Sequence, residues 1–215
     1  MNASAQKNPT RTMVVRMLLG AVVGGSVTLL FLAFVVEPYI QLQSAENLIA
    51  ISAGVIYVLT GLSIFIGLAA PRAGARYLNV EDADELREDG TKLWPAALVM
   101  VLTGTFLLIL ALSGGEPGLM SRETGLVAAL ACLAGVAIGG WVTAKRYDEL
   151  MRRLGLEASS LTLQLGMLAI AGWAALAHLG QVGWISPLAL VSGFALLQLF
   201  ASFVVVGRHG MLKPR

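Results

Sequence analysis

Charge is what this sequence has least of. Only 13% of its 215 residues are Asp, Glu, Lys or Arg, and 57% are hydrophobic. A soluble domain carries about 25% charged residues. A chain with so little polar cover cannot face water on all sides, which excludes an ordinary soluble domain and makes lipid part of the solvent. Cysteine is equally scarce. Cys132 stands alone in an apolar run, so an internal disulfide is excluded, and no Cys/His spacing of a zinc site occurs. No catalytic or nucleotide-binding motif rises above background. No cofactor, metal or nucleic-acid partner is therefore expected.

Two further absences bear on function. The core of every long apolar run lacks Asp, Glu, Lys and Arg, the groups that ion-coupled transporters and proton relays carry within the membrane. Proline is absent from the predicted helix interiors. Pro38 and Pro71 fall beyond helix ends, Pro95 and Pro187 in first turns, and Pro9, Pro117 and Pro214 outside helices. A first-turn proline sacrifices no hydrogen bond. Transporter helices that unwind at a substrate tend to show Gly/Pro interruptions, and here only Gly61 and Gly67 remain to loosen the second span.

What the sequence does have is six apolar runs, at about 14–36, 48–70, 94–112, 125–144, 161–180 and 184–206. Each is long enough to cross a hydrocarbon core of about 30 Å. Backbone N–H and C=O groups in lipid must be satisfied within the segment, so each run is read as a helix. The expected fold is all-α: a single six-helix membrane bundle over 1–215. The first run is too long for the apolar stretch of a cleaved signal peptide, and no small-x-small cleavage site follows it.

Basic residues set the orientation. With the N-terminus inside, Lys7, Arg11, Arg16, Arg72, Arg76, Arg87, Lys92, Lys145, Arg146, Arg152, Arg153, Arg208, Lys213 and Arg215 all fall in cytoplasmic segments, and of the 15 basic residues only Arg122 falls outside. Lys and Arg stay cytoplasmic, so both termini are expected in the cytoplasm and the protein in a cell (inner or plasma) membrane. Trp94, Trp141, Tyr77 and Tyr147 gather at the predicted inner boundary, Tyr39 and Trp184 at the outer one, where amphipathic rings prefer to sit. Trp173, mid-helix, is expected to pack against a neighbour.

Arg76-Tyr77 followed by Asp84-Glu85-Leu86 has a counterpart in Arg146-Tyr147 followed directly by Asp148-Glu149-Leu150. Both strings lie between consecutive spans. One reading is a parallel repeat of two helical hairpins; the other is coincidence between short charged strings. The acidic stretch Glu81–Asp89 lacks the spacing of a calcium loop and reads as a helical turn capped by Asp82 with Glu85 three residues on. Tyr147, Leu150, Met151 and Leu154 fall on one apolar helical face, beside Arg152 and Arg153, either along the inner surface or continuing from the fourth span.

Small residues recur at four-residue spacing at Gly20 and Gly24, and at Ala131, Gly135 and Gly139. Such stripes let helices approach closely, within the bundle in preference to a homodimer seam. Gln164 and Gln198 are the main polar residues inside the spans. Their depths differ by about one turn, so they are expected to face each other across the fifth and sixth helices as an interhelical hydrogen bond, with a polar substrate path as the sharper alternative. His178 and His209 lack partners for catalysis or metal binding, and Ser63 lies at the opposite face from His178.

Three functions of different classes stand. The first is a structural or accessory membrane protein. Its cytosolic loops, centred on Asp84, Glu85, Leu86, Asp148, Glu149 and Leu150, would dock a cytosolic or membrane protein. The second is a small-solute transporter or channel. The third, disfavoured by the lack of a nucleophile–base set, is an intramembrane enzyme.

Overall fold

The computed structural model describes residues 24–30, 33–34, 44–72, 74, 83–113 and 120–211. They are all-helical. Five long helices succeed one another: α1 (Ala45–Ala69), α2 (Ala83–Ser113), α3 (Arg122–Arg146), α4 (Glu149–His178) and α5 (Pro187–Arg208). All five are long and apolar enough to cross a membrane. The first predicted span, 14–36, is described only in part, and residues 24–30 are helical there. Gly20 and Asp82 lie outside the described residues.

The starts and stops follow local chemistry. Ser44, Ser121, Asp148 and Ser186 are N-caps of α1, α3, α4 and α5, their side chains accepting from backbone N–H groups three residues on. That bond satisfies a donor that the helix itself leaves orphaned. α4 and α5 end alike. Gly180 and Gly210 take positive φ, and the next residues, Gln181 and Met211, donate back to the Leu176 and Val206 carbonyls. This six-to-one bond requires a left-handed residue, which only glycine adopts without penalty. Trp173 caps the α4–α5 turn: its indole N–H donates to the Gly183 carbonyl at 3.0 Å. Its indole thus ties the turn down, and its ring lies beside Pro187 and Leu190 of the neighbouring α5.

The packing has a hub. α1 runs along α2, and α5 packs against both; α3 lies on α2, and α4 on α5. Ala50, Ile51, Ala53, Val55 and Tyr57 of α1 are buried together with Leu107 and Ala111 of α2. Val191, Ala195, Leu196 and Leu199 of α5 close over Tyr57 and Leu107. α3 and α4, although consecutive, share no packed interface. The first hairpin is therefore closed and the second is splayed. The two Asp-Glu-Leu strings also differ: Asp148 caps α4, whereas Asp84 lies within α2 and pairs with Arg87 at 2.8 Å.

Glycine makes the α1–α2 contact close. A Cβ on Gly104 would stand 2.5 Å from the Gly54 carbonyl oxygen, and one on Gly61 would stand 2.7 Å from that of Ala97. Gly61 is thus a contact point in an unbroken helix, not a loosening of it. On α3, Gly135 and Gly139 lie against Leu102 and Val99 of α2, while among the described residues nothing would meet a Cβ on Gly24, and Ala131 is exposed. Away from these seams large apolar side chains face outward, Val127, Leu168 and Leu179 among them, as a lipid-facing surface requires.

Two helices begin earlier than the apolar runs do. α2 has 31 residues and α4 has 30, about 45 Å each at helical rise. Both overshoot a hydrocarbon core of about 30 Å. α2 takes in the acidic stretch, and α4 takes in the Tyr147–Leu154 face after a break at Tyr147-Asp148. That segment thus continues into the fifth predicted span, not from the fourth. The early start of α2 also overturns the first-turn placement of Pro95, which is an interior proline.

Candidate functional site

Proline inside a helix removes the hydrogen bond to the carbonyl four residues back and crowds it. For Pro95 that carbonyl belongs to Thr91. It is taken by Arg146, at the end of α3, whose Nη1 donates to the Thr91 oxygen at 2.9 Å. The same guanidinium lies 5.6 Å over the Trp94 ring, and Lys145 Nζ lies 3.6 Å over the Trp141 ring. Arg146→Ala should strip both contacts and lower stability by about 1 kcal/mol, since a hydrogen bond from a charged donor is worth somewhat more but is weakened at an exposed site. Thermal unfolding in detergent would test it. A variant as stable as wild type would mean that water serves the Thr91 carbonyl equally well.

Further links gather the helix ends around this point. Lys92 reaches Asp89 at 2.8 Å and Asp148 at 3.7 Å. Glu149 pairs with Arg152 at 2.7 Å and Arg153 at 2.8 Å. Glu157 of α4 meets His209, just past α5, at 3.0 Å. The N-terminal ends of α2 and α4 and the C-terminal ends of α3 and α5 thus form one charged rim. Among the described residues Arg122 is the basic residue at the opposite end.

A cleft of about 810 Å³ lies above this rim, between the splayed α3 and α4. Its walls carry Val136, Gly140 and Thr143 from α3 and Arg152, Leu156, Ser159 and Thr162 from α4; α2 and α5 form its floor, with Tyr57 and Gln198. Most of its hydroxyls are already spent as donors. Thr103, Thr143, Thr162 and Ser202 donate to carbonyls one turn back in their own helices, and the Tyr57 hydroxyl donates to the Ala195 carbonyl at 2.7 Å. Tyr147 closes the rim end, and burial pushes its phenol above the usual range.

The predicted site residues fall as follows. Gln164 and Gln198 do not meet. The α4 positions buried against α5 are Leu154, Ala158, Thr162 and Gly166. Gln164 is two residues from both Thr162 and Gly166, hence on the opposite side of a 3.6-residue helix, and it is exposed. Gln198 lines the cleft and gives its amide to Ser202 Oγ at 3.5 Å. Of the two loop strings, Asp148 and Glu149 join the rim network. Leu86 is fully buried, whereas Leu150 is 53% and Met151 37% exposed, so the leucines of the two strings occupy opposite environments. The side chain of Glu85 lies outside the described residues.

No family model, curated protein or solved structure matches the chain.

Sequence reasoning missed Tyr57 and the cleft. A lone tyrosine amid apolar residues at mid-span was a usable signal, because a phenol in lipid needs an acceptor. The splay of α3 and α4 has no comparable local mark.

Proposed function

We propose that this is a multi-pass protein of the cell (inner or plasma) membrane, with six spans and both termini in the cytoplasm. We propose further that it acts as an accessory protein that docks a protein partner on its cytoplasmic rim, without catalysing a reaction. The observation that carries the reading is the exposure of Leu150 and Met151. They stand among Glu149, Arg152, Arg153 and Glu157, a stretch too charged for the hydrocarbon core. Apolar side chains left uncovered beside fixed charges suit a protein interface whose apolar centre has a polar rim. The orientation is supported by the collection of basic residues at the rim.

Periplasm-active reporters fused after Gly90 and after Gly115 test the topology. Activity is expected at Gly115 alone, and activity at Gly90 alone would reverse the model of the ends. For docking, Leu150→Asp with Met151→Asp keeps the Asp148 cap and adds acids where a helix N-terminus favours them. The double variant should insert normally, lose its co-purifying partner and fail to complement a deletion. If it keeps every partner and complements fully while Gln198→Leu abolishes function, the activity lies within the bundle. The cleft favours this second reading, a small-solute transporter or channel, because it brings Gln198 and Tyr57 to one accessible space.

A further inference from the structure

We propose that the cleft between α3 and α4 is a binding site for one phospholipid with an anionic headgroup, drawn from the leaflet on the rim side. Charge is the first ground. Among the described residues that line the cleft, Arg152 alone carries a formal charge and none is a carboxylate. Arg152 spends its Nε and one Nη2 donor on Glu149, which leaves three of the five guanidinium N–H groups for a phosphate. Basic pockets between membrane helices at the headgroup level hold anionic lipid headgroups in this way.

The second ground is the shape of the space. Among the described residues α3 and α4 share no packed interface, so the cleft runs between two helices that do not close on each other. Its volume of about 810 Å³ matches sites for compact organic ligands, enough for a headgroup and the upper part of an acyl chain.

The third ground is the state of the polar groups deeper in. Thr143, Thr162 and Ser202 donate to their own helices. An acyl chain laid over Thr143 and Thr162 toward Phe194 therefore strands neither of those hydroxyl donors, and stranding one is the main cost of covering a hydroxyl with hydrocarbon. A free polar solute would gain no donor from these three hydroxyls. The assignment goes beyond the docking reading and holds whichever side of the membrane the rim faces.

The full chain, reconstituted in nanodiscs of equimolar phosphatidylcholine and phosphatidylglycerol and released for native mass spectrometry, should keep one phosphatidylglycerol per chain. Arg152→Gln should weaken retention about tenfold, equivalent to about 1.4 kcal/mol. Gly140→Phe with Gly155→Phe should abolish it. Both glycines line the cleft, and a Cβ on either meets nothing within 4 Å, so the rings have room to fill the space. If the double variant unfolds, Arg152→Gln decides by itself. Wild type that keeps no lipid, equal retention of phosphatidylcholine, or undiminished retention in Arg152→Gln or in the folded double variant would each overturn the proposal.

Discussion

Gly104→Ala is expected to destabilise the protein by about 2 kcal/mol, within the range for overpacking a tight core. The added methyl would stand 2.5 Å from the Gly54 carbonyl oxygen and 2.8 Å from the Val58 backbone nitrogen. Neither is a side-chain tip that can swing aside, so α1 and α2 would have to separate. Separation matters here because membrane helices associate through close packing, not through exclusion of water. Gly140→Ala is the control. Its Cβ meets nothing within 4 Å, and replacing a helical glycine by alanine should gain up to about 1 kcal/mol. Equilibrium unfolding in mixed micelles, followed by circular dichroism, would compare the two. If Gly140→Ala loses as much as Gly104→Ala, the effect is one of glycine content and the seam is not where the structure puts it.

Tyr57→Ala should cost about 3 kcal/mol, the low end for emptying a buried aromatic site. Tyr57 is 7% exposed. It fills the space between α2 and α5, and its hydroxyl holds the Ala195 carbonyl. Tyr57→Phe keeps the ring and loses only that bond, worth about 0.6 kcal/mol between membrane helices. The carbonyl loses little, because its oxygen has two lone pairs and the helix bond remains available to one of them. The ratio of the two losses is the test. Similar costs for Phe and Ala would show that the hydroxyl, not the ring, joins α1 to α5. A negligible cost for Ala would show that the hub lies elsewhere.

Within the described residues, the helices that the sequence marks are the helices that form, and the reason is local. A lipid-immersed segment must satisfy its own backbone, so an apolar run of sufficient length leaves the chain no alternative. The caps are equally local, because Ser44, Ser121, Asp148 and Ser186 act on N–H groups three residues away. Gly135 and Gly139 of the four-residue stripe lie against α2 while Ala131 is exposed, so the spacing allows a close approach without naming the helix that makes it.

Tertiary structure decided what no single helix contains. α2 starts at Ala83 and carries Pro95 in its interior, with Arg146 of another helix serving the carbonyl that the proline abandons. Gln164 and Gln198 have similar depths, but depth says nothing of rotation. The side of α4 that met α5 was fixed by Leu154, Ala158, Thr162 and Gly166, which sent Gln164 outward. The splay of α3 from α4, and with it the cleft, depends on which neighbours each helix prefers. Hydropathy marks which stretches can cross a membrane, since that is a balance between each residue and its solvent, but it does not mark where α2 and α4 begin. The pairing of helix faces is a balance among side chains from different helices, and it is settled only when the bundle closes.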